Sequence, residues 1–157
     1  MKLSLSALAT LLPLSHAARL LLQISNTPLV NPSTLPSTTH ATLQSSGSPH
    51  DAPLTRSNTF VFNNISAGSY LATVHCRDYF FEPLRIDVSL EETVEGSGET
   101  REVIRAWQTF LGNEWENKGE SRGEGGNGLV IEARPVGAKY FYTERQGCKS
   151  SRPCGYG

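Results

Sequence analysis

Four histidines, three cysteines and fifteen acidic residues are the raw material for chemistry in this chain of 157 residues. A nucleophilic site needs a thiol or hydroxyl within reach of a base. His75 and Cys76 are neighbours in a strand-like run, but adjacent strand residues point to opposite faces, so the two are not set to share a proton. His16 falls in the N-terminal segment, and His40 and His50 fall in a Ser/Pro-rich stretch. Zinc sites bring several ligands together at set spacings, and neither CxxC nor HExxH occurs here. The run Gly123-Glu124-Gly125-Gly126-Asn127-Gly128 lacks the Gly-Lys-Ser/Thr ending of a phosphate loop and leads into a strand, so it reads as a flexible loop. Glu91, Glu92, Glu114 and Glu116 are candidates for a glycosidase-like carboxylate pair. Acidic residues on loops are more often simply solvated. The expectation is a non-catalytic chain with no metal, cofactor or small-molecule substrate.

Modification and binding leave a few candidates. Asn64-Ile65-Ser66 is an N-glycosylation sequon at a bend, which makes Asn64 the candidate acceptor. It abuts a strand, where a turn role for the asparagine is the alternative. Cys76 falls on the buried side of its strand and should behave as a small apolar group. In an oxidising lumen Cys148 and Cys154 could pair as a disulfide. Tyr79, Trp107 and Trp115 could stack on sugar rings, the basis of an alternative reading as the carbohydrate-binding module of a secreted protein. With a formal net charge of -1 and basic residues scattered singly among acids, nucleic acid is excluded as a partner.

These residues need a scaffold. Residues 1–17 combine Lys2, an apolar run from Leu3 to Leu14 and the small-residue ending Ser15-His16-Ala17, the pattern of a signal peptide cut after Ala17. Nine prolines and fourteen glycines favour many turns over long helices. Leu20, Leu22 and Ile24 alternate as a first strand, and Ser25 to Pro53 reads as a Ser/Thr/Pro-rich linker with one weak strand near Thr39 to Leu43. Phe60 and Phe62, then Tyr70, Ala72, Val74 and Cys76, give a hairpin turning through Ser66-Ala67-Gly68-Ser69. Tyr79 to Pro83 crosses over to a strand in which Leu84, Ile86 and Val88 face a core while Arg85, Asp87 and Ser89 face water. Val103–Trp107, Leu129–Ala133 and Lys139–Tyr142 complete about seven strands, with a polar insertion from Gly112 to Gly128. That density fits an antiparallel β-sandwich, an all-β fold in a single domain.

The residues Phe60-x-Phe62-x-x-Ile65-x-x-Gly68-Ser69-Tyr70-Leu71 and Tyr79-x-Phe81-x-Pro83-Leu84-Arg85-Ile86-Asp87-Val88 carry a resemblance. With Phe110-Leu111-Gly112-Asn113-Glu114-Trp115 and Tyr140-x-Tyr142-x-x-Arg145, the chain resembles the lumenal β-sandwich of ER membrane protein complex subunit 7, particularly of fungal type, over roughly Ala18 to Gln146. Carboxypeptidase-regulatory-like and starch-binding-like sandwiches share the shorter core pattern. The resemblance implies a prealbumin-like, non-catalytic domain over residues 18–146 in the endoplasmic reticulum lumen. Its partners would be the other subunits of a complex that inserts transmembrane helices into the membrane. Members of that family continue into a transmembrane helix, whereas residues 147–157 are polar and glycine-rich here. The expectation is therefore a truncated or mis-spliced end, with the membrane helix of the family missing from this chain.

Overall fold

The computed structural model describes residues 18–92 and 100–140. Within them run eleven strands: β1 (Ala18–Gln23), β2 (His40–Gln44), β3 (His50–Pro53), β4 (Thr59–Ile65), β5 (Gly68–His75), β6 (Tyr79–Phe81), β7 (Leu84–Glu92), β8 (Thr100–Gln108), β9 (Ser121–Gly125), β10 (Leu129–Glu132) and β11 (Pro135–Ala138). A six-stranded sheet in the order β3-β2-β5-β7-β8-β9 packs against a three-stranded sheet in the order β10-β1-β4, and β11 pairs with β6 at one end. The ladders are antiparallel except for β1 with β10, where Leu20 lies opposite Leu129. The fold is an all-β sandwich, as the alternation requires.

Alternating apolar side chains from both sheets make one core. Leu20 and Leu22 of β1, Phe60 and Phe62 of β4 and Ile131 of β10 face Tyr70, Ala72 and Val74 of β5, Ile86 of β7 and Ile104 of β8. Cys76 joins them as a buried free thiol.

The expected hairpin at Phe60 to Cys76 is instead an arch between sheets. β4 pairs with β1, and β5 pairs with β2 and β7. Alternation shows which side chains face inward, but the same pattern serves two strands side by side or two strands facing each other across a core. The Tyr70 hydroxyl donates to Ser66 O at 3.0 Å and closes the arch.

The expected linker also carries more order than its composition implies. Ala41, Leu43 and Ala52 are buried, and β2 zips onto β5 with Ala41 opposite Val74. Three small or medium apolar residues at strand spacing suffice, with His40, Thr42 and Gln44 at the outer positions of β2. The polar insertion contains β9, paired with β8, so Gly123 and Gly125 are strand residues and not a loose loop. The turn after it is fixed as well: Gly128 N donates to Arg19 O at 2.7 Å, and Arg19 N donates to Asn127 Oδ1 at 2.9 Å. Within the segment expected to cross over, Tyr79 to Pro83, the first three residues form β6 (Tyr79–Phe81). Among the described residues the last strand is Pro135–Ala138, and Phe141 and Tyr142 of the strand expected at Lys139–Tyr142 fall outside them.

Candidate functional site

Arg85 alternates outward on β7, yet it is buried. The loop after β8 folds over it, so the guanidinium lies 4.6 Å from the Trp115 ring centroid and 6.0 Å from that of Trp107, and its Nη1 donates to Trp115 O. Lys118 stands 4.1 Å over Trp107. Asp87 ties both cations, at 3.0 Å from Arg85 Nε and 3.5 Å from Lys118 Nζ. Burial pushes the Asp87 carboxyl up, but hydrogen bonds from Arg85 and Ser69 and the charges of Arg85 and Lys118 hold it below the ordinary carboxylate range. The two tryptophans expected as a sugar platform therefore each carry a cation against the ring, an arrangement that anchors the loop. Tyr79 packs against the core.

Elsewhere the sequence candidates stay apart. His75 is exposed and stacks on His40 across β2 and β5, with ring centroids 4.9 Å apart, while Cys76 points into the core. Glu91 pairs with Arg105 at 2.7 Å. It sits six positions along β7 from Arg85, about 20 Å at strand rise, so it does not meet Glu114 or Glu116 in the loop that covers Arg85. Among the described residues, no three His, Cys, Asp or Glu side chains converge as a metal site, and no helix is long and apolar enough to cross a membrane. Asn64 is exposed at the end of β4 with φ 60, a left-handed conformation that asparagine tolerates better than most residues. Cys148 and Cys154 lie outside the described residues.

The feature that sequence reading missed is a groove of about 630 Å³ at the end of the sandwich opposite the Ser66 arch. Its walls are β6, β11 and the turn after β8, and its apolar lining includes Phe80, Pro83, Phe110, Leu111, Pro135 and Val136. Four of these are well exposed: Phe80 by 57%, Phe110 by 61%, Leu111 by 76% and Val136 by 69%. Backbone bonds hold the walls in place: Thr109 N donates to Pro83 O at 3.2 Å, Glu82 N to Arg134 O at 2.9 Å, and Asn113 N to Phe110 O at 3.1 Å. Val136 falls at a register shift between Pro135 and Gly137, which releases it from the ladder. Below them Arg122 grips Glu82 with two bonds from Nη2, at 2.8 and 3.1 Å, both side chains being nearly covered at 8% and 9% exposure. Three segments distant in sequence build this groove, so no local motif announces it. The available signal was the pair Phe110-Leu111 in a polar loop.

A comparison with family descriptions matches residues 30–151 to "ER membrane protein complex subunit 7, beta-sandwich domain". None of the curated proteins compared gives a match. The matched span takes in every strand from β2 to β11, while β1 precedes it and still supplies the middle of the three-stranded sheet. Covering well over half of the sequence and agreeing with the sandwich that its own description specifies, the match shows that the chain belongs to the ER membrane protein complex subunit 7 family.

Proposed function

We propose that this chain is a non-catalytic subunit of the ER membrane protein complex, held on the lumenal side, where it supports insertion of transmembrane helices into the ER membrane. The single observation that carries the reading is the family match over residues 30–151. In support, the polar side chains of the outer sheet face are spent on one another, as in the Arg85, Asp87, Lys118 and Trp115 set, which is the economy of a binding scaffold. Residues 1–17 direct the chain to the lumen and are removed after Ala17. The test is a transmembrane reporter whose insertion is scored by protease protection, in cells with and without the gene. Loss of the gene is expected to lower insertion and the full chain to restore it; unchanged insertion would overturn the reading.

Asn64 carries an N-linked glycan in the same account. The sequon, the exposure of the side chain and its place at the arch end, away from the groove, support this. Ser66→Ala abolishes the sequon without touching the residue at positive φ. It should remove an endoglycosidase-sensitive shift in gel mobility, and an unshifted wild-type chain would sink the assignment.

A further inference from the structure

We propose that Asn127 is a site of spontaneous deamidation, and that the start of β1 holds it closed while the sandwich is intact. The inference goes beyond the reading of the chain as a complex subunit and does not depend on it. Asparagine is a thermolabile residue, and a following glycine, with no Cβ, leaves the amide nitrogen unshielded and the backbone free to turn. Asn127-Gly128 is the only Asn-Gly pair in the sequence. Asn127 is exposed in the turn between β9 and β10. In the reaction the Gly128 nitrogen loses its proton and attacks the side-chain carbonyl carbon of Asn127. A C–N bond forms, the side-chain nitrogen leaves as ammonia with that proton, and a cyclic imide results. Water then opens the imide at either carbonyl, giving aspartate or isoaspartate. Water is the sole co-reactant, and nothing is oxidised or reduced.

In the folded chain Arg19 engages both reacting groups. Gly128 N donates to Arg19 O at 2.7 Å, so the proton that must leave is held in a hydrogen bond. Arg19 N donates to Asn127 Oδ1 at 2.9 Å, which ties the side-chain amide to β1. The turn adds a third restraint: Leu129 N donates to Gly126 O at 3.2 Å and Gly128 sits at φ 86, as the third residue of a type II turn does. Attack requires the Gly128 nitrogen to swing onto the Asn127 side chain, and that motion breaks the bond to Arg19 O. The lock stands at the end of a ladder, since Arg19 comes one residue before Leu20, which lies opposite Leu129 in the pairing of β1 with β10. Strand ends open at lower cost than strand centres. Opening this end frees nucleophile and amide together, so deamidation records the openings of β1. The record is permanent because ammonia is lost, and isoaspartate, with its extra backbone carbon, moves Gly128 N out of register with Arg19 O.

The test follows the full chain, purified from ER membranes and kept in mildly alkaline buffer. Cleavage after Glu124 and Glu132 releases peptide 125–132, in which mass spectrometry scores aspartate and isoaspartate at position 127 against time. Three samples are compared: folded wild type, wild type unfolded in guanidinium chloride, and Arg19→Pro, which deletes the N–H given to Asn127 Oδ1 and keeps the carbonyl. Folded wild type is expected to react about tenfold or more slowly than the unfolded chain, as two hydrogen bonds that must open would dictate. Arg19→Pro, checked for a wild-type melting curve, should react about fivefold faster than folded wild type, the effect of losing one of them. Hydrogen exchange at the Gly128 amide of the wild type serves independently of that variant, and should be slowed about tenfold or more against the unfolded chain. An unfolded chain that leaves Asn127 intact would overturn the site. Equal rates in folded and unfolded wild type, free exchange at Gly128, or a folded Arg19→Pro that reacts no faster than wild type would overturn the lock.

Discussion

His40 and His75 sit opposite each other on β2 and β5, and their stacked rings give the protein a titratable spot on an otherwise ordinary surface. Partial burial and then the neighbouring His40 hold His75 below its usual 6.5, with Lys139 adding to the effect and Asp51 opposing it. A histidine depressed in the folded state is protonated more readily in the unfolded one. Stability is therefore complete above the ordinary value and declines as pH falls through 6.5 toward the lower folded value. Urea midpoints taken from about pH 7 to about pH 5.5 should drop more steeply for wild type than for His75→Gln; parallel slopes would contradict the assignment. Arg122 and Glu82 are the opposite case, a pair nearly removed from water, with exposed Glu120 as the second partner of Arg122 at 2.7 Å. Glu82→Ala should cost about 2 kcal/mol in urea unfolding, since Arg122 keeps one carboxylate. The double change Glu82→Leu with Arg122→Met should recover most of that, because an apolar pair leaves no buried charge behind.

At the scale of elements, the joint between β8 and β9 leaves no room for a side chain at Gly119. A Cβ on Gly119 would stand 2.7 Å from Gln108 O, backbone against backbone, while Gly119 N donates to that same oxygen at 3.2 Å. Gly119→Ala should therefore destabilise by about 1–3 kcal/mol. Gly47→Ala, whose Cβ would meet nothing within 4 Å, should be close to neutral. Equal unfolding midpoints for the two would contradict this account. The same joint shows where sequence reading stopped. Strands with full alternation, such as Leu84 to Ser89, could be placed in the chain, and their inward residues are the buried ones. Partners could not be assigned, because a period of two says nothing about which neighbour supplies the hydrogen bonds; that is why β4 and β5 looked like a hairpin. β9 was invisible since Ser121, Gly123 and Gly125 have no apolar face, and the strand exists through its ladder with β8. Arg85 was read as wet because the cover over it, Trp115, comes from a loop thirty residues away.

For the whole molecule, the two ends of the sandwich differ: the arch end exposes Asn64 at φ 60, and the other end holds the apolar groove. The family was legible only when the core pattern, which other sandwiches share, was taken together with Phe110 to Trp115 and Tyr140 to Arg145, and the match over residues 30–151 agrees with it. The groove was not, because its walls come together only when β6, β11 and the turn after β8 are folded. The most direct measurement of membership in an assembly is the size at which the chain travels on a native gel after gentle detergent extraction of ER membranes. The account expects a large species that also contains the other subunits of the ER membrane protein complex. A lone species near the 17.1 kDa of the single chain would contradict it.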